Sequence, residues 1–235
     1  MTKNWWKIAS FLLLIYTIVA GFLLPVPRLH ILNETIRNLY FHVAMWFGMM
    51  LLFIVSFAYS IKYLRTFDHR YDIYASNFAS IGSVFGILGY LTGMIWVSVT
   101  WVTDQGQSLA GVMKEPKLLG AAIALLIYGA YFVLRGSFID IDKRSRVSAV
   151  YNIFAFAMLF PSIWIIPRIV GSLHPGAPGS STGNPALNRQ DLDGGMRMVF
   201  YPAVIGWTLL GVWIATLRIR LQLLADKSLL QQPGK

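Results

Sequence analysis

Two histidines in this chain stand where an imidazole calls for a use. His42 lies in RNLYFHVAMWF (37–47), about one turn into a stretch apolar enough to dissolve in lipid. His174 lies in SLHPG (172–176), within a long segment rich in Gly, Pro, Ser and Asn. Neither has a charged residue beside it. Neutral imidazoles from two separate segments can form the axial pair of a bis-histidine haem iron site. Haem also needs apolar walls for its macrocycle and cations for its propionates. Tyr40, Phe41, Trp46, Trp96 and Trp101 could supply walls, and Arg37, Lys117 or Arg168 could supply cations. A second reading of the same residues stays open at this point. An interfacial histidine also satisfies itself by hydrogen bonding to a neighbouring helix, Trp and Tyr anchor span ends, and His174 before Pro175-Gly176 can introduce a turn.

The elements that must position these residues are apolar runs. The 235-residue chain is 56% hydrophobic and 13% charged, against about a quarter charged in soluble domains. Six runs reach spanning length, at 8–27, 39–61, 77–99, 118–134, 147–167 and 198–217. A bilayer core needs about 20 apolar residues per helix, and each run must satisfy its own backbone there. All acidic and basic residues fall outside these runs or at their edges. The expectation is an all-α, polytopic membrane protein, one six-helix domain over 1–235, embedded in the lipid bilayer.

Basic residues set the orientation. Thirteen of them, including Lys3, Lys62, Arg135 and Arg218, fall on one side, and seven, including Arg28, Arg37, Lys117 and Arg168, on the other. Positive charge favours the cytoplasm, so both termini are expected inside and three loops outside. The first run lacks a small-residue cleavage site and reads as a retained helix. The net charge of +10 then reflects topology and anionic lipid, with no nucleic-acid face expected. His30, His42 and His174 fall on the outer side. His69, in RTFDHRYD, reads as a surface residue of a solvated inner connector, as does the segment RGSFIDIDKRSR.

Other chemistry is thinly represented. There is no cysteine, hence no disulfide, no thiolate metal site and no covalent haem attachment. The chain carries no nucleotide-phosphate loop and no dinucleotide fingerprint. Asp191–Asp193 lacks the ligand set of a calcium loop and reads as a turn. No nucleophile–base–acid arrangement stands out, so an enzyme is not expected. Acidic residues are absent from the apolar runs, which argues against a proton relay through their centre.

The sequence resembles the CcmC/CcsA haem-handling family of cytochrome c biogenesis, most closely its six-helix CcmC branch. In IRNLYFHVAMWF, Arg37 precedes by five residues a Tyr-x-His-Val motif at Tyr40, His42 and Val43. SLHPG is similar to the family's second ligand segment, with His174 in the histidine place. GILGYLTGMIW (86–96) resembles its third helix, with the Thr-Gly pair at Thr92-Gly93. The family's tryptophan-rich outer segment is represented by TWVTDQGQSLAGVMKEPKLLG, which keeps Trp101, has Lys117 in the basic place and Glu115 where the family has Asp. The other tryptophans of that segment are missing.

The resemblance implies a bacterial inner (plasma) membrane protein that holds haem b non-covalently at its outer, periplasmic face. His42 and His174 would be the axial ligands, with Arg37, Trp101 and Lys117 around the haem. Partners would be ATP-binding-cassette exporter subunits and a membrane-anchored haem chaperone that passes haem to apocytochromes c. Two other classes remain as alternatives: a b-type haem electron-transfer subunit, and a structural or transport subunit without haem.

Overall fold

Each apolar run closes its own backbone ladder, and polar side chains mark where the helices start. The computed structural model describes residues 4–28, 32–104, 106–170 and 192–230. Helix α1 is Trp5–Leu23, α2 His42–Thr66, α3 His69–Val97, α4 Leu109–Val112, α5 Pro116–Gly136, α6 Ile141–Phe160, α7 Ile166–Ile169 and α8 Gly194–Leu230. Asp68 caps α3 by accepting from the Arg70 N–H at 2.9 Å. Asp140 caps α6 by accepting from the Lys143 N–H at 2.7 Å. Such caps satisfy amide donors that the first helical turn leaves over. Helix α2 stops at Phe67, which turns left-handed with φ 53.

Six helices are long and apolar enough to cross a membrane, and the described residues contain no strand. All six expected runs are found among them with shifted bounds, the first ending at Leu23 rather than 27. The third helix starts at His69 rather than 77, and the last runs to Leu230 rather than 217. Hydropathy registers only the lipid-soluble part of a helix, whereas caps and polar turns extend it. The stretch before the second run, expected as loop, forms a 3-10 helix over Asn33–Tyr40. Beyond α3 the chain continues as a π-helical stretch over Ser98–Asp104, and beyond α6 as another over Pro161–Ile165.

Helix α2 packs antiparallel on α3 through a ladder of glycines. A Cβ on Gly82 would meet the Phe53 ring at 2.8 Å, on Gly86 the Met49 Sδ at 2.8 Å, on Gly89 the Trp46 indole at 3.0 Å and on Gly93 the His42 ring at 2.6 Å. The steps are four, three and four residues on both helices, taken in opposite directions. Small residues at such spacing let helices approach closely in lipid, where packing replaces the hydrophobic effect as the force between them. Helix α8 covers the other side of this pair, with a Cβ on Gly211 falling 2.8 Å from Leu52. It also pairs antiparallel with α1, where Ser10 donates to the Gly206 carbonyl at 3.2 Å and Tyr16 to the Met198 carbonyl at 3.2 Å.

The connectors expected to be plain solvated loops include a buried ion pair. Asp72, in the first turn of α3, is 2% exposed and receives both Arg135 Nη1 and Nη2 at 2.7 Å. The bidentate geometry offsets the cost of taking both charges out of water. His69 fits its surface reading better, with a side chain 40% exposed, though its Nδ1 also lies 3.8 Å from Asp72.

The ladder makes a stability prediction. Gly82→Ala drives a methyl into Phe53, which cannot retreat because it stacks on Tyr128 at 3.7 Å. The cost expected is about 1–3 kcal/mol. Gly129→Ala meets nothing within 4 Å and should be neutral or gain up to ~1 kcal/mol from helix propensity. Thermal unfolding in detergent compares the two; equal melting temperatures would sink the tight-register account.

Candidate functional site

His42 is the first residue of α2, not one turn inside it, and the segment before it fixes its position. The 3-10 helix Asn33–Tyr40 is fastened to three spanning helices. Arg37 donates from Nη1 to the Gly21 and Leu24 carbonyls at 2.7 Å each, covering the C-terminal carbonyls of α1. Asn38 Nδ2 donates to the Thr92 carbonyl of α3 at 3.3 Å, and Trp96 Nε1 donates to the Thr35 hydroxyl at 3.0 Å. Trp207 of α8 donates to the Tyr40 carbonyl at 3.3 Å. Tyr40 itself is 2% exposed and packs on Gly21, where a Cβ would lie 3.0 Å from its ring.

The imidazole is held in one orientation and one tautomer. Its Nδ1 lies 2.8 Å from the Gly89 carbonyl and 3.2 Å from Thr92 Oγ1. A carbonyl only accepts. The Thr92 hydroxyl spends its proton on the Leu88 and Gly89 carbonyls, at 2.9 and 3.0 Å, so toward His42 it also accepts. Nδ1 is therefore set to donate, which in a neutral ring puts the lone pair on Nε2. Second-sphere carbonyls set metal-ligating histidines in the same way. The rings of Trp96 and Trp46 stand edge-on to the imidazole, at centroid distances of 5.8 and 6.3 Å.

An open cleft of roughly 360 Å³ lies against this assembly, walled by Phe22, Phe41, Ile95, Trp96 and Val99, with Glu34 and Arg37 among its lining. Its inner residues Thr92 and Trp96 are the ones His42 touches. Arg37 is partly committed, since its Nε also pairs with Glu34 at 2.8 Å. Among the described residues its partners engage Nε and Nη1, and none engages Nη2.

Trp101 and Lys117 gather elsewhere at this end of the bundle. Trp101, on the π-helical stretch after α3, packs against the small cluster of Val97, Val112 and Leu118. Lys117 sits in the first turn of α5 beside Leu118. Glu115, 5% exposed, is the cap of α5, accepting from the Lys117 and Leu118 N–H groups at 2.8 and 3.0 Å. His174, His30 and the Arg168 side chain lie outside the described residues. Sequence reasoning named His42, Arg37 and Trp96 but missed Gly89, Thr35 and Asn38, which hold the imidazole, the Trp96 indole and the Thr92 backbone in place. The signal for Thr92 was present in GYLTG, where a hydroxyl and two glycines share one turn.

The tautomer is directly measurable. Solid-state NMR on ¹⁵N-histidine protein should show His42 protonated at Nδ1 and bare at Nε2. Gly93→Ala, whose methyl would fall 2.6 Å from Cε1, should shift or broaden both signals. A wild-type signal from an Nε2–H ring would contradict the assignment.

No protein-family model matches the chain, and no curated protein matches it either.

Proposed function

We propose that this chain is a membrane haem-binding protein, holding haem b non-covalently at the His42 end of the bundle and presenting it to a haem chaperone for cytochrome c maturation. The observation that carries the reading is the fixed imidazole of His42. Its Nδ1 lies 2.8 Å from the Gly89 carbonyl, which in a neutral ring puts the lone pair on Nε2, the atom a haem iron would take, and two tryptophans stand beside the ring. A donor set of neutral imidazole within aromatic walls fits haem iron. The similarity of the Arg37–Val43 and Ser172–Gly176 segments to the CcmC branch supports the same reading and supplies the second ligand, His174.

In this reading His42 and His174 would hold the haem iron. Arg37 would pair with a propionate, while its Nη1 keeps the segment docked on α1. Trp101 and Lys117 flank the haem from the α3–α5 side. When bound, the haem supplies an iron whose axial bonds exchange; the chain's own residues bind, orient and release it, and break no substrate bond. The proposed setting is the bacterial inner membrane with the His42 end periplasmic, alongside ATP-binding-cassette exporter subunits. The unequal distribution of basic residues supports that orientation, because Lys62, Arg65, Arg70, Lys143, Arg144 and Arg146 belong to the opposite end.

The test is an absorption spectrum of detergent-purified protein expressed with ample haem, compared with His42→Ala, His174→Ala and the double variant. Wild type should show low-spin b-type bands, lost or turned high-spin in each single variant. Haem-free wild type, or spectra indifferent to both substitutions, would refute the assignment.

A further inference from the structure

The opposite half of the bundle contains a polar seam that haem handling does not use. On α6, Ser145, Ser148 and Asn152 share one face at helical spacing, and on α2, Ser56 and Ser60 face them. All five are at most 1% exposed. Asn152 Nδ2 donates to both Ser56 Oγ and Ser60 Oγ at 2.8 Å. The Ser56 hydroxyl gives its own proton to the Ala75 carbonyl at 2.7 Å. Ser56 can therefore only accept from Asn152, which fixes the amide orientation and leaves Oδ1 as the atom that needs a donor.

That donor is not supplied by protein. Among the described residues, Asn152 Oδ1, Ser148 Oγ and the Tyr128 hydroxyl are buried with no hydrogen-bond partner, whereas Ser145 Oγ has the Tyr63 hydroxyl within reach. Tyr128, on α5, is held over Phe53 by its stacked ring and belongs to the same core cluster as Ala155 of α6. Buried polar atoms in native proteins almost always have a partner, and buried water is the usual one when side chains do not suffice. The ligand must both donate and accept, and it must be neutral, because the nearby carboxylate of Asp72 is already taken by Arg135. Those requirements describe water and exclude a cation.

We propose that α2, α5 and α6 enclose an internal water site, in which bound water bridges Asn152 Oδ1 with the hydroxyls of Ser148 and Tyr128. Tyr63, one turn further along α2 from Ser60, lies beside both Ser145 and Asp72. The Asp72–Arg135 pair lies at that same, basic end of the bundle.

The chain has no cysteine, so a single introduced thiol reports one position. Ser148→Cys adds no atom to the seam, and Val150→Cys, on the outward face of the same helix at 58% exposure, is the control. Infrared spectroscopy follows conversion of the S–H stretch to S–D after transfer into D₂O. Exchange at position 148 should be at least about tenfold faster than at 150, because thiol exchange needs water and its ionised form. Equal or slower exchange at 148 overturns the proposal. Ser148→Ala and Tyr128→Phe give a second reading. Deleting a water-bridged hydroxyl should lower the melting temperature, whereas deleting a dry orphan raises it; a rise in both variants also overturns the proposal.

Discussion

The register between α2 and α3 is the constraint on which the rest depends. Four glycines of α3 each receive one large side chain of α2, and His42 is the last of those four. The contact that anchors the pair is therefore continuous with the one that seats the imidazole. A slip of one residue would place a Cβ-bearing residue against Phe53, Met49 and Trp46 and withdraw the Gly89 carbonyl from Nδ1. Stability of the helix pair and orientation of the candidate ligand are one geometric fact.

The two ends of the bundle solve different problems. At the His42 end, side chains reach to backbone carbonyls: Arg37 to α1, Asn38 to α3, Trp207 to Tyr40. This secures a short 3-10 helix that is only marginally stable on its own. At the other end, charge meets charge in the Asp72–Arg135 pair, and hydroxyls and an amide replace apolar packing between α2 and α6. Polar interior contacts in lipid are individually modest, but they specify which helix faces which, because a mismatched partner leaves polar atoms without company.

Much of this was legible from the residues, and what was not has a physical reason. The six helices follow from apolar run lengths, since lipid permits little else. The glycine spacing in α3 is visible in GSVFGILGYLTG, yet the partners it admits depend on which helix docks there. His42 was legible because an imidazole in an apolar context is costly. Its tautomer was not, since that depends on a carbonyl 47 residues away in sequence. Asp72 and Arg135 read as ordinary connector charges because each segment looks solvated by itself; they are 63 residues apart, and only the fold makes them a pair. Arg37 was read as a partner for an anion, whereas its Nη1 covers the end of α1, a use that local sequence does not reveal. Glu115 is a similar case, an acidic residue whose carboxylate is explained by the helix it starts.

The pairing of α1 with α8 has a consequence for the order in which the chain assembles. Helix α1 leaves the ribosome first and α8 last, yet the buried hydroxyl of Ser10 and the close approach at Gly206 belong to their mutual contact. Until α8 is made that contact is absent, whereas the Arg37 bonds to the Gly21 and Leu24 carbonyls need only the segment that follows α1. Closure of the bundle is then a late, long-range event, the kind that slows folding and exposes surfaces to wrong partners. A chain stopped before α8 would leave the α8-facing side of α1, with the Ser10 hydroxyl, without the partner it has in the closed bundle.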